Sequence, residues 1–219
     1  MSSTPDSPSD FAKTTSQERS AATAQRILQA AADIFEAGGF DTTPVAEIAR
    51  RAGVSVGGLY RRYQNKADLQ RAVAEARMVR FRRIFADALQ PDELGAADAA
   101  DVVRRYAACL VDFMSGPDRG VLRRLALLLR SDRDLPASQT LQQHNRAVHG
   151  MFAAALMARR DQFDVPDPDT AIEFADLAMS AAARESLLHD GLRDLPDHDE
   201  MVDRLTALGC AYLQIPYRR

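Results

Sequence analysis

The sequence contains no tryptophan and only two cysteines among its 219 residues. Cys109 and Cys210 lie far apart and form no CxxC pair, so we expect two free thiols in a reducing compartment. No apolar stretch approaches the roughly 18–20 residues that are needed to span a bilayer. The polar N-terminus also lacks the apolar segment of a secretory signal. These absences predict a cytoplasmic protein with no membrane partner.

Recognisable enzyme motifs are also missing. The sequence has no phosphate-binding Gly-x-x-x-x-Gly-Lys loop, no Gly-x-Gly-x-x-Gly turn and no Gly-x-Ser-x-Gly nucleophile motif. No glutamate is followed three residues later by histidine, as a helical di-metal site requires. His144 and His149 are five residues apart, not the four of a zinc-binding helix. We therefore expect no catalytic residue, no metal, no cofactor and no enzymatic activity.

The charge is distributed unevenly along the chain. The net charge is −3, which by itself argues against a strongly basic nucleic-acid binder. Between Arg50 and Lys66, however, there are basic residues and no acidic one: Arg50, Arg51, Arg61, Arg62 and Lys66. A basic face of this kind could also belong to an ordinary helical hairpin, which has the same helix–loop–helix shape as a DNA-binding motif and exposes its charges to water. The concentration of positive charge in this segment favours a DNA-binding protein over a helical adaptor protein, which would have no use for it.

Helical periodicity and turn residues predict an all-α protein with about nine helices and no strand. Residues 1–17 are polar and are predicted to be a flexible arm, with Thr15 as the N-cap of the first helix in a capping box with Glu18. Gly38 and Gly39 end that helix. The further helices are predicted at residues 44–52, 55–63, 66–89, 96–115, 117–131, 136–162, 168–189 and 197–214.

A helix-turn-helix is predicted at residues 44–63. Thr43 is the expected N-cap of its first helix, with Pro44 as the first helical residue. Gly53 suits the turn and Ser55 can cap the second helix. Buried positions are expected at Ile48, Ala49, Val54 and Leu59, and a cap for the following helix at Asn65.

The second helix of this motif carries two adjacent glycines, Gly57 and Gly58. Each costs roughly 1 kcal/mol relative to alanine inside a helix. Such a cost makes sense where the backbone must approach another molecule closely. The exposed face of this helix is expected to carry Val56, Gly57, Tyr60 and Arg61, and helices of this kind enter the DNA major groove by their N-terminal residues.

The pattern from Gly38-Gly39-Phe40 through Ala52-Gly53-Val54-Ser55-Val56-Gly57-Gly58-Leu59-Tyr60 to Asn65-Lys66 and Leu69 resembles the DNA-binding domain of the tetracycline-repressor (TetR) family over about residues 20–75. The sequence departs from that family at Pro44 and Ala46, where polar residues are more usual, and at Tyr63, where phenylalanine is more usual. The resemblance implies a DNA-binding domain at 18–66 and a helical ligand-binding and dimerisation domain at 67–215. The residues that it implies for DNA binding, together with those read from the pattern, are Thr43, Pro44, Ser55, Val56, Gly57, Gly58, Tyr60, Arg61, Arg62, Tyr63 and Lys66.

A single recognition helix makes few base contacts, whereas two related by a two-fold axis read a palindrome. The expected partners are therefore palindromic double-stranded DNA and a second copy of the chain, and the resemblance also implies a small-molecule effector, expected to be largely apolar. Candidate effector contacts are Phe85, Tyr106, Phe113, Leu128, His144, Asn145, His149 and Phe152. Candidate dimer contacts are Ala175, Ala178, Met179, Ala182, Leu205, Leu208 and Tyr212. The expected function is a ligand-released repressor; a ligand-independent or activating regulator of the same fold is the alternative.

Overall fold

The computed structural model describes residues 8–37, 39–40, 42–116, 118–131, 136–188 and 196–217. Within these ranges the chain is all-α, with ten α-helices, a short 3-10 turn at Arg160–Gln162 and no strand. The all-α prediction is confirmed. The helices are α1 (Pro8–Glu36), α2 (Val45–Ala52), α3 (Val56–Tyr60), α4 (Lys66–Leu89), α5 (Pro91–Leu94), α6 (Ala99–Ser115), α7 (Arg119–Ser131), α8 (Pro136–Met157), α9 (Pro168–Leu188) and α10 (His198–Tyr212).

The helices differ most from the prediction at α1, α5 and α8. α1 begins at Pro8, so Thr15 lies inside the helix and residues 8–17 are not a flexible arm; residues 1–7 of that arm lie outside the described residues. Proline suits the first turn, where its missing N–H has no intrahelical partner. The same preference explains the tenth helix, α5, which begins at Pro91 in a stretch predicted to be a linker. α8 ends at Met157, before the 3-10 turn.

The first compact unit extends to Val73 and contains α1, α2, α3 and the start of α4. Its buried side chains come from every one of these helices, and include Ile27, Phe35, Ile48, Leu59 and Leu69. The ring of Phe35 packs edge-on against that of Phe40, with centroids 5.4 Å apart. Burial of Ile48, Ala49 and Leu59 follows the prediction for a helix-turn-helix core, while Val54 is half-buried.

The second compact unit begins at Ala74, within α4, rather than at the predicted residue 67. α6 is its central helix and packs against α7, α8, α9 and α10. α10 packs very closely against α6 and α9 at Gly209. A Cβ on Gly209 would lie 2.6 Å from Sδ of Met179 in α9 and 2.8 Å from Cγ1 of Val103 in α6. A larger residue at this crossing would therefore force the side chains of Met179 and Val103 to shift.

Both cysteines are buried free thiols, as predicted. Burial raises the pKa of Cys109 and of Cys210 to about 12, so both remain protonated and unreactive at neutral pH. None of the helices described is long and apolar enough to cross a membrane.

Candidate functional site

The turn between α2 and α3 is built on Gly53. This residue has a φ of 65° and a ψ of 39°, which lie in the left-handed backbone region that residues with a Cβ rarely adopt. Its N–H donates to the carbonyl of Arg50 (3.1 Å), and the N–H of Val54 donates to the carbonyl of Ala49 (3.0 Å). The predicted role of Gly53 is confirmed, and the turn places α3 directly after α2.

Two side-chain caps fix the ends of the elements that follow. The hydroxyl of Ser55 accepts a hydrogen bond from the N–H of Gly58 (3.0 Å), and Oδ1 of Asn65 accepts one from the N–H of Asp68 (2.8 Å). Both caps were predicted from residue type and spacing. They hold the first turn of α3 and of α4 in place without help from any other molecule.

The start of α2 differs from the prediction. Pro44 is the N-cap, with an extended backbone (φ −61°, ψ 145°), and is not the first helical residue. Thr43 is not the cap, since Pro44 holds that position, and the hydroxyl of Thr43 instead donates to the carbonyl of Gly39 at 2.7 Å. The hydroxyl is therefore used inside the loop that precedes α2, although its oxygen retains the ability to accept a further hydrogen bond.

α3 has an exposed face that includes both its first and its last residue. Val56 is 40% exposed and Tyr60 is 47% exposed, which is unusual for large apolar side chains. A Cβ on Gly57 would meet nothing within 4 Å, so no contact inside the protein requires glycine there. Gly58 differs, because a Cβ there would lie 3.1 Å from Oγ of Ser55 and crowd the cap. The expectation that both glycines serve an external contact is thus retained only for Gly57.

Part of the basic run is neutralised by an acidic residue just before it. Glu47 accepts hydrogen bonds from Arg50 (2.7 Å) and from Arg51 (2.9 Å). These two hydrogen bonds lower the pKa of Glu47 to about 2, and the bond from Arg50 has the larger effect. The run is free of acidic residues in sequence but not in space, since a helix brings residues three and four apart together.

The remaining basic residues lie at and after the end of α3. Nη2 of Arg62 donates to the hydroxyl of Ser20 (3.0 Å), which ties the segment to α1. Nζ of Lys66 lies 5.3 Å from the centre of the Phe40 ring, in cation–π geometry. Tyr63 is half-buried, and this burial raises its pKa above the ordinary value. Arg61 is exposed.

The second unit contains a cavity of about 570 Å³. This volume falls within the range of about 300–1,000 Å³ that is usual for small-molecule sites. Four of the predicted effector contacts line it: Tyr106, Phe113, Asn145 and His149. The other lining residues come from α4, α6, α7, α8 and α9.

Three other predicted effector contacts do not reach the cavity. Phe152 stacks on Tyr106 with ring centroids 4.1 Å apart, and Phe85 packs edge-on against Tyr106 at 5.1 Å. Both are fully buried and form the layer behind the cavity wall. His144 is also buried, with Nε2 3.3 Å from Oε1 of Glu75. The side chain of Leu128 lies outside the described residues.

The sequence prediction missed the acidic centre of the cavity, Asp176. Its carboxylate accepts hydrogen bonds from the hydroxyls of Tyr106 and Ser180, and lies beside His149. The pKa of Tyr106 is raised well above its ordinary value, mainly by burial and to a smaller extent by the charge of Asp176. An aspartate between the apolar residues Ala175 and Leu177 was the available signal, because a buried carboxylate requires partners.

The outer surfaces of α9 and α10 carry exposed apolar side chains. Leu208 and Tyr212, both predicted dimer contacts, are 43% and 45% exposed. Leu177 is 59% exposed, and Phe174, which was not among the predicted contacts, is 50% exposed, with its ring 4.9 Å from that of Tyr212. Ala182 is exposed and Ala178 is half-buried.

Three predicted dimer contacts are inside the protomer. Ala175, Met179 and Leu205 are at most 2% exposed and belong to the core of the second unit. They lie on the faces of α9 and α10 that turn inward, so they cannot reach a partner. Among the residues described, no group of three or more histidine, cysteine, aspartate or glutamate side chains could hold a metal ion.

Comparison with known proteins identifies the helix-turn-helix. Residues 27–73 match the family model described as bacterial regulatory proteins, tetR family. An uncharacterized HTH-type transcriptional regulator of Mycobacterium tuberculosis is 31% identical over 144 residues, covering 65% of this chain and 68% of the relative. The chain belongs to the TetR family of bacterial regulatory proteins. This TetR-family chain is accordingly a transcriptional regulator with a DNA-binding helix-turn-helix, and its relatives are regulators rather than enzymes.

Solved structures agree on the TetR-family fold. A TetR-family regulatory protein from Rhodococcus RHA1 matches with a TM-score of 0.70 at 22% identity, over 89% of this chain and 98% of the other. The regulator FadR of Bacillus subtilis, solved in complex with stearoyl-CoA, matches with a TM-score of 0.66 at 16% identity, over 88% of this chain and 99% of the other. At these identities the likeness concerns the fold alone.

Proposed function

We propose that this TetR-family regulator is a homodimeric repressor that binds a palindromic operator and is released by a small molecule held in the cavity of the second unit. The exposed face of α3 is the observation that carries the DNA-binding part of the proposal. Val56 and Tyr60 offer side chains to base edges, and Gly57 allows the backbone to approach them.

Basic and polar groups flanking that face suit phosphate contacts. Arg61 and Arg62 follow α3, and Lys66 is the first residue of α4, where the helix N-terminus itself favours an anion. Ser55 and Tyr63 lie at the two ends of the same segment. Thr43 and Pro44, before α2, add little, since the Thr43 hydroxyl already donates within the loop and proline has no N–H. Recognition is therefore concentrated in residues 55–66.

The apolar outer face of α9 and α10 supports the dimer. Phe174, Leu177, Leu208 and Tyr212 are all more than 40% exposed, whereas large apolar side chains are normally buried. Ala182 and Ala178 lie on α9 beside them, and small side chains allow two helices to approach closely. Pairing these helices with those of a second copy would form a four-helix interface that removes this surface from water.

α4 is the element through which the effector would act. Ala74, Met78 and Phe81 of α4 line the cavity, and the same unbroken helix begins at Lys66. Near the cavity, α4 is tied to the start of α7: Asp118 forms ion pairs with Arg77 (2.7 Å) and Arg80 (3.0 Å). An effector that binds the DNA-incompetent state more tightly would shift α4 and lower operator affinity.

The test begins by selecting duplexes from a random DNA library with the full-length protein. We expect an inverted repeat, and tight binding of that duplex in a fluorescence-anisotropy titration. Lys66→Ala should weaken binding to all sequences about equally, whereas Tyr60→Ala should also relax sequence preference. Arg83→Ala, which removes an exposed positive charge from the second unit, is the matched control and should leave binding unchanged. Selected sequences without two-fold symmetry would contradict the dimeric operator complex.

A further inference from the structure

The cavity of the second unit has two chemically different walls. Its α4, α6 and α7 side is almost entirely apolar and includes the rings of Phe81 and Phe113, whose centroids are 4.4 Å apart, and Leu125. Its α8 and α9 side carries polar groups, among them His149 and Asp176. A molecule that fills this space must therefore be apolar over most of its surface and polar at one end.

Asp176 is the centre of the polar wall. Its Oδ1 accepts hydrogen bonds from the hydroxyls of Tyr106 and Ser180, the latter at 3.0 Å. Its Oδ2 lies 3.2 Å from Nδ1 of His149. Both carboxylate oxygens are therefore engaged, and the two hydroxyl hydrogens are directed at Asp176 rather than at a ligand.

This arrangement determines what His149 offers to the cavity. A carboxylate oxygen can only accept, so Nδ1 of His149 carries a proton. In the neutral ring Nε2 is then an acceptor, fixed in orientation by the bond on the opposite edge. Nε2 makes no hydrogen bond within the part of the chain that the structure describes. The side chain is 30% exposed, which keeps that nitrogen accessible.

Charged residues at the cavity do not favour one sign of ligand. Arg146 and Glu173 are exposed, so water screens their charges. Arg184 and Glu185 are half-buried and of opposite sign. His149 is held by Asp176, which also binds the fully buried Tyr106, so its acceptor is fixed in the cavity wall.

We propose, building on the effector role of this cavity, that it takes a largely apolar, ring-containing molecule with one hydroxyl group. The hydroxyl donates a hydrogen bond to Nε2 of His149, and the ring lies against Phe81 and Phe113. A hydroxyl satisfies the acceptor without bringing a charge into a cavity whose carboxylate already has three partners.

The experiment compares ring probes that differ in a single group. 2-Naphthol presents an O–H, 2-methoxynaphthalene presents the same oxygen without the proton, and 2-naphthoate and 2-naphthylmethylammonium present charges. Binding to the full-length protein is followed by probe fluorescence, which the protein does not mask because it has no tryptophan. Naphthol should bind about tenfold more tightly than its methyl ether, which corresponds to about 1.4 kcal/mol. Both charged probes should bind less tightly than naphthol.

His149→Phe tests the residue, and His198→Phe is the matched control. The first keeps a ring in the cavity wall but removes the acceptor, so the preference for naphthol over its ether should disappear. His198 lies outside this cavity, between Asp112 and Asp199, and its replacement should leave the tenfold preference intact. Thermal denaturation of both variants shows whether each is folded. If His149→Phe does not fold, His149→Gln with its shorter acceptor should reduce the preference without abolishing it.

Equal binding of naphthol and its ether to the wild-type protein would overturn the inference, as would tighter binding of either charged probe or no binding of any probe. DNA affinity is measured separately in the same samples. Preferential naphthol binding that leaves DNA affinity unchanged supports the assignment of His149 and counts against the effector role. DNA release by all four probes alike supports the effector role and counts against the assignment of His149.

Discussion

Gly57→Ala should change stability and DNA binding in opposite directions. The added methyl group meets nothing within 4 Å inside the protein, so it introduces no steric cost. Alanine is favoured over glycine in a helix interior by up to about 1 kcal/mol. Since Gly57 lies in the first turn of a five-residue helix, a gain of about 0.5 kcal/mol is expected.

Binding to the operator should weaken in the same variant. In the proposed complex the N-terminal turn of α3 enters the major groove, and the backbone at Gly57 is close to base edges. A methyl group there displaces the helix from its contacts at Val56 and Tyr60. Loss of one well-made base contact costs about 1–3 kcal/mol, so affinity should fall about fivefold or more.

Two measurements and one control variant test this reasoning. Urea denaturation followed by circular dichroism gives the stability, at fixed protein concentration because a dimer is expected. Fluorescence anisotropy with the selected duplex gives the affinity. Gly150→Ala is the control, because Gly150 lies within α8 and a Cβ there also meets nothing within 4 Å. It should gain similar stability and bind DNA normally.

The reasoning is refuted if Gly57→Ala binds the operator as tightly as the wild type. It is also refuted if the variant is less stable than the wild type, since the loss of binding would then have a structural cause. Equal loss of DNA affinity in Gly150→Ala would show that added helix stability, and not the groove contact, controls binding.

Three further outcomes are expected. Gly209→Ala should destabilise the second unit by about 1–2 kcal/mol net of the gain in helix propensity, because its Cβ would overlap side chains from α6 and α9; a denaturation midpoint at or above that of the wild type would contradict the packing. Leu208→Glu should convert the dimer to a monomer in sedimentation, whereas Val79→Glu, an equally exposed apolar site on α4, should not. His198→Gln should lower the melting temperature more at pH 6 than at pH 9, since flanking aspartates raise the pKa of His198 above 6.5 and the stabilisation of up to about 1 kcal/mol is present below that pKa and lost as pH rises through it.

The helix-turn-helix was predictable because its determinants are local. Gly53, Ser55 and Asn65 act on backbone groups within a few residues of themselves, so their type and spacing suffice. Pro44 shows the limit of such reasoning: proline is preferred at the first helical position, yet here it is the N-cap, with an extended ψ of 145°.

The cavity could be predicted only in part, because its lining depends on how helices pack. Phe113 and Phe152 both lie on apolar faces at helical spacing, yet one lines the cavity and the other stacks behind Tyr106. Sequence periodicity shows that a residue faces inward but not which layer it occupies. Asp176 was detectable in principle, but its partners come from two other helices and from the next turn of its own.

The dimer contacts could also be predicted only in part. α9 is apolar on two sides, and its sequence does not say which side meets α6. The structure turns Ala175 and Met179 inward and leaves Phe174 and Leu177 outside. Adjacent residues such as Phe174 and Ala175 therefore have different environments, although both fit an apolar helix.

The pairing of Glu47 with Arg50 and Arg51 bears on how tightly this regulator can hold DNA by charge alone. Each cation that neutralises a phosphate releases condensed counterions and contributes about −0.9 to the dependence of log affinity on log salt. Those two arginines are already engaged by Glu47; the other three basic residues of the run are Arg61, Arg62 and Lys66. A dimer would then show a slope of about −5, where all five basic residues per protomer would give about −9. Such a regulator depends less on ionic strength and more on base contacts, and it would leave non-specific DNA readily.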